Sequence, residues 1–241
     1  MKSKNVSTLI AIFTFLLSCS LVSAQRTEER KVKSFHSINL SVPATVYVKQ
    51  EKETSIKIKG YPDDLEKIVT KVTESTLKIK RKKMDSENGT SHHYSNDIEI
   101  YISTPNLENL KISGSGTIIA KAPIKSGKAN YMIIGSGNIT IKELMADDLK
   151  CCISGSGYIR LKGKCEEEFK ISISGSGDIE AYDFKAKYVN VKVSGSGNCK
   201  VRALNKLTAR TSGSGDIYYR GKPEYIDCKY SGSGSIKSID K

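Results

Sequence analysis

The chain has 241 residues, a formal net charge of +13, six Cys and no Trp. That length suffices for one elongated domain, or for a small domain beside a repeat array. In an exported protein such a charge permits contact with anionic polysaccharide, lipid headgroups or nucleic acid. The lysines, however, are scattered at outward places between apolar residues rather than gathered in one block, which favours a solvated face and no nucleic-acid partner.

Residues 1–24 read as a secretory signal peptide. Lys2 and Lys4 precede an apolar run from Leu9 to Leu17, and Val22-Ser23-Ala24 offers a small-residue cleavage site before Gln25. The run is too short for a membrane span that the mature protein keeps. Leu16-Leu17-Ser18-Cys19 also resembles a lipobox, in which cleavage leaves Cys19 acylated. Both export routes stay open, and the membrane is a partner only in the second. The expected location is the outer-membrane surface or the periplasm of a Gram-negative bacterium.

Residues 25–34 are charged and read as a flexible leader. Strand-like alternation follows at 37–40, 45–49, 55–59, 76–81 and 97–103. Pro62-Asp63-Asp64-Leu65 has Pro at a helix start and acids in the first turn. Ile68 to Val72 either extends that helix or opens a hairpin. The polar segment 82–97 reads as an exposed loop. Residues 35–105 are therefore expected to form an irregular β region that caps a repeat array starting at 106.

From there Ser-Gly-Ser-Gly begins at Ser113, Ser154, Ser174, Ser194, Ser212 and Ser231, with Ile134-Gly135-Ser136-Gly137 as a seventh copy. A period near twenty residues marks a stacked repeat. Apolar residues alternate before each copy, as in Phe169, Ile171 and Ile173, and after it, as in Ile139 and Ile141. Each unit thus reads as strand, glycine corner, strand and loop. The class is all-β: a parallel β-helix, or β-solenoid, of about 20 residues per rung, right-handed by the general preference of parallel crossovers. Rungs roughly 4.8 Å apart give a seven-repeat prism over 106–241 on the order of 30 Å long. The structural corners are Gly114 and Gly116, Gly135 and Gly137, Gly155 and Gly157, Gly175 and Gly177, Gly195 and Gly197, Gly213 and Gly215, and Gly232 and Gly234. Each needs either positive φ or close backbone approach. Their serines are placed to hydrogen-bond along the corner. The last rung, near Lys241, is thinly capped, which invites self-association.

Signals for chemistry are weak. After Cys19, five cysteines remain, an odd number that cannot all pair within one chain. Cys151, Cys199 and Cys228 fall on the inward register as small hydrophobes. Cys152 points outward and Cys165 falls in the loop closing that rung, so these two are the pair to test for a bridge. No spacing matches a zinc site. His92-His93 sit in the polar loop and His36 stands alone. Asp178 and Asp216 follow corners two rungs apart, roughly 10 Å by strand spacing, near the wider glycosidase separation of about 6.5–9.5 Å. No third acid or aromatic sugar platform accompanies them. The Asp after Gly-Ser-Gly is missing from most rungs and the period is not nine, so calcium is not expected. No metal, cofactor or catalytic residue is assigned.

The repeated corners, together with Ile98-Glu99-Ile100-Tyr101-Ile102-Ser103-Thr104-Pro105-Asn106-Leu107 and the first corner at Ser113, resemble the head GIN domain family of autotransporter adhesins. The resemblance runs from Phe35 to Lys241. It implies a right-handed β-helix shaped like pectin lyases, export, no recognised catalytic residues and a role in adhesion. Nothing after Ser231 builds a membrane barrel, so display would rest on a lipid at Cys19 or on a partner. The expected function is a non-enzymatic, exported, adhesin-like binding module whose surface or polysaccharide ligand is unidentified. Two alternatives are a periplasmic structural protein contacting anionic envelope polysaccharide and a carbohydrate-active enzyme on a pectin-lyase-like frame.

Overall fold

The computed structural model describes residues 24–82 and 98–240. Cys19, His92, His93 and Lys241 lie outside the described residues, as do the signal peptide through Ser23 and most of the polar loop.

Alternating apolar residues can pair only if every second side chain faces one core, and the strands do so in parallel register. Strands β8 (Asn109–Gly114), β10 (Ile124–Gly135), β11 (Asn138–Gly155), β12 (Tyr158–Gly175), β13 (Asp178–Gly195) and β14 (Cys199–Gly213) wind as a coil. The short strands β9 (Thr117–Ala120), β15 (Ile217–Arg220), β16 (Tyr225–Ser231) and β17 (Ile236–Ser238) complete it. Leu110, Tyr131, Cys151, Ile171, Val191 and Ala209 stack in one inward column. All six are buried. Seven glycine corners delimit about six turns of a β-solenoid.

Each turn has three faces rather than two strands and a loop. In β11, Ile139 and Ile141 are buried on the first face, Leu144 and Ala146 on the second, and Leu149, Cys151 and Ile153 on the third. Register shifts at the two intervening bends separate them. The segment read as a loop is therefore the second face. Cys165 is on it, buried and stacked between Ala146 and Ala186. Gly163, outside the corner motif, also has positive φ, and Phe184 fills the position above it, edge-on to Phe169 at 5.1 Å.

The paired glycines of a corner answer to different constraints. Gly175 has φ 114°, in the region L side chains avoid. At Gly177 the limit is space: a Cβ would lie 2.5 Å from Ile153 Cγ2 and 2.6 Å from the Gly157 carbonyl oxygen. The corners are tied by main chain, not by serine hydroxyls: the Ser176 N–H donates to Gly155 O and the Ser196 N–H to Gly175 O, each at 2.9 Å.

The amino-terminal part is interleaved. Strands β2 (Ser37–Leu40) and β3 (Thr45–Gln50) form a rung. On one side it meets β8 and β9, and on the other β6 (Thr76–Arg81) and β7 (Glu99–Thr104). Beyond these, β4 (Ser55–Gly60) runs antiparallel to β7, and β5 (Ile68–Thr73) antiparallel to β6. The hairpin reading of Ile68 to Val72 is thus the observed one, following the short helix α1 (Pro62–Leu65). The leader is not free. Its strand β1 (Arg26–Glu29) pairs with β4, and Arg30 donates to the carbonyls of Ile68 at 3.2 Å and Leu65 at 3.1 Å.

Candidate functional site

The residues singled out for chemistry serve the coil. Asp178 Oδ1 accepts the Asn198 N–H at 2.6 Å, Asn198 Oδ1 accepts the Asp216 N–H at 3.2 Å, and Asp216 Oδ1 accepts the Ser235 N–H at 2.8 Å. Each side chain caps a main-chain donor of the next rung, with Asn198 standing between the two acids. The Ser235 hydroxyl and amide, with the Tyr218 hydroxyl, hold the Asp216 carboxyl below the ordinary carboxylate range. A group so engaged is a poor general acid. Cys151, Cys152, Cys165, Cys199 and Cys228 are all free. The bridge between Cys152 and Cys165 is absent because Cys165 faces inward, where its thiol donates to the Asp147 carbonyl at 3.0 Å. Burial pushes that thiol up to about 11. His36 sits by Glu108 at 3.3 Å on the surface. Among the described residues no group of acids, cysteines and histidines is placed to hold a metal.

What the fold does gather is aromatic and basic side chains on the outward side of the first face. Tyr47 and Tyr101 lie opposite each other across β3 and β7. Their rings stack with centroids 5.2 Å apart and planes inclined 20°. Lys121 of the next rungs places its ammonium 5.0 Å from the Tyr47 ring centroid. Together with Lys49, Lys57, Ile119 and Ala122 they line an open groove of about 410 Å³. Lys49 is 2.6 Å from Glu51 and Lys57 is 2.9 Å from Glu29. Solvent screens pairs this exposed, so they are weak and exchange readily for another anion.

The pattern continues along the same face. Tyr158, Glu180, Lys200 and Tyr218 line a second hollow of about 220 Å³. Arg160 bonds both the Tyr158 hydroxyl at 2.8 Å and Glu180 at 3.0 Å. The hydrogen bond from Tyr158 and the charge of Arg160 hold the Glu180 carboxyl below its usual range. Tyr182 is flanked by Arg220 at 4.6 Å and Lys200 at 5.8 Å. Contacts of this kind pair a flat apolar surface with positive charge.

The sequence expectation of no aromatic platform concerned Asp178 and Asp216, whereas the stacked pair stands on other rungs, at Tyr47 and Tyr101. Tyr47 and Tyr101 were missed because they stand far apart in the chain and meet only through the interleaved rung. The one available signal was that each occupies the outward place of an alternating strand, in Val46-Tyr47-Val48 and Ile100-Tyr101-Ile102.

A family model described as "Putative auto-transporter adhesin, head GIN domain" matches residues 34–223. Among solved structures, a "putative adhesin" from Bacteroides fragilis is 25% identical with a TM-score of 0.83, covering 90% of this chain and 97% of its own. A "putative lipid binding protein" from Parabacteroides distasonis is 26% identical with a TM-score of 0.70, covering 91% and 98%. A "putative adhesin" from Parabacteroides merdae shares the fold at 24% identity and a TM-score of 0.71, covering 91% and 98%. No curated protein matches the chain.

Proposed function

The chain belongs to the head GIN domain family of auto-transporter adhesins, and on that premise we propose that it is an exported, non-enzymatic, adhesin-like protein that binds an anionic polysaccharide along its first face. The carrying observation is the stacked pair of Tyr47 and Tyr101, with Lys121 over the first ring and a groove beside both. Aromatic faces supply flat apolar contact for a sugar ring, and the lysines supply charge for its carboxylates. The engagement of Asp178 and Asp216 in capping the coil favours binding over hydrolysis.

Calorimetric titration of the mature chain with polygalacturonate, and with neutral dextran as control, tests the proposal. Polygalacturonate is expected to bind, more weakly as salt rises, and dextran is not. Tyr47→Ala and Lys121→Ala should each weaken binding roughly fivefold to tenfold with an unchanged melting temperature. Undiminished binding by both variants would remove the groove from the proposal, and no binding of polygalacturonate would remove the ligand class. Intact mass from the native envelope, with protease accessibility on whole cells, separates the settings. An acylated Cys19 and external cleavage support surface display. A chain beginning at Gln25 and protected from protease supports the periplasmic structural role.

A further inference from the structure

The two ends of the coil are finished differently. At the amino-terminal end β4 and β5 run antiparallel across the first rungs, and Ile56, Ile58, Leu65 and Ile68 beneath them are buried. At the other end β16 pairs along one edge with β14. The column that buries Leu207 and Thr211 at 0% and 3% exposure continues one rung further as Ile226 and Tyr230, at 47% and 67%. Between them Cys228 occupies the inward register and is partly buried. Inward side chains and one edge of backbone donors and acceptors thus face out together, an arrangement that invites strand addition.

We infer that this end docks on the same end of a second copy, β16 against β16 in antiparallel register centred on Cys228. That register is self-complementary. It sets Ile226 opposite Tyr230 of the second copy on the inward side, Asp227 opposite Lys229 of the second copy on the outward side, and Cys228 opposite itself. By two-fold symmetry the first two contacts occur twice, and the Cys228 contact lies on the axis. Arg210 holds Asp227 at this edge, donating to its carbonyl at 2.7 Å and pairing with its carboxylate. Opposite charges directly across an antiparallel pair are favourable, and like charges there are unfavourable. A head-to-tail stack finds no matching rung, because the other end of the coil is closed by antiparallel strands. The assembly is therefore a closed two-fold dimer and not a filament.

Sedimentation equilibrium of the mature chain at about 100 μM should show a dimer. Lys229→Asp alone and Asp227→Lys alone each place like charges opposite each other at both symmetry-related positions, and should raise the dimer dissociation constant about tenfold or more. Mixed together, the two variants regain opposite charges at both positions and should associate as a heterodimer with near wild-type affinity. A second readout does not depend on charge reversal. In a Cys152→Ser background, glutathione disulfide should take two electrons from two Cys228 thiols, giving one intermolecular disulfide and two glutathione thiols. The Cα separations of antiparallel neighbours, about 4.5–5.5 Å, fall within the disulfide range. Cys228→Ser should abolish that cross-link. A monomeric wild type, a dimer unaffected by either reversal, growth into larger assemblies, or a Cys228 that forms no dimer cross-link would each overturn the inference.

Discussion

At the scale of single residues, the corner shows how one residue type answers two demands. Gly175 supplies a backbone angle and Gly177 supplies an empty volume. Gly175→Ala should destabilise by about 2–4 kcal/mol, since strain adds to a Cβ placed 2.5 Å from the Gly155 carbonyl oxygen. Gly177→Ala, which meets only the spatial limit, should cost about 1–3 kcal/mol. Ser176→Ala, at an exposed site whose amide makes the bridge, should stay within about 0.5 kcal/mol. Urea unfolding of the three variants checks the order, and a Gly177→Ala midpoint equal to wild type would refute the spatial argument. The glycines were legible in the sequence as corners. Which of each pair turns the chain and which makes room became visible only once the rungs were stacked.

At the scale of elements, the hairpin joining β5 and β6 turns through Glu74 and Ser75, both at positive φ, 50° and 56°. A two-residue turn of this kind favours Asn followed by Gly. The double change Glu74→Asn with Ser75→Gly should therefore stabilise the chain by about 0.5–1 kcal/mol, read as a higher melting temperature. A lower one would mean that the native side chains make contacts outweighing the strain. The sequence left Ile68 to Val72 undecided because a helix start at Pro62 and β-branched residues beyond it pull in opposite directions. Pairing with β6 decides it, and that pairing exists because β6 is itself held against β2.

At the scale of the whole molecule, a coil is held rung to rung, so its ends loosen before its middle. The carboxyl-terminal rung leans on Asp216, which accepts both the Ser235 amide and its hydroxyl. Because that carboxyl titrates below its unfolded value, its stabilising effect is present above about pH 4 and is lost as pH falls through the depressed folded value. Amide exchange in β17 should accordingly accelerate in acid relative to the central rungs. Asp216→Asn, whose amide oxygen still accepts, should remove most of that pH dependence, and an unchanged acid response in this variant would assign the effect elsewhere. The same end carries β16, for which the dimer contact is inferred, whereas the groove lies near the closed end. A dimer joined at its open ends would present its two grooves far apart, and an extended polymer would then be held at two points.

By itself the sequence determined the coil: a period near twenty, inward columns of Ile, Val and Cys, and glycines at each of the seven corners are local patterns, and each repeat carries the same instruction. Tertiary structure decided the rest. Tyr47 and Tyr101 become one platform because β2 and β3 are inserted between rungs made later in the chain, and no local pattern encodes such an insertion. Asp178 and Asp216 become caps because the donors they satisfy belong to the following rungs. Ile226 and Tyr230 carry the same inward pattern as their predecessors. What separates them is the absence of a described rung above them, and burial depends on that neighbour, not on the residue alone.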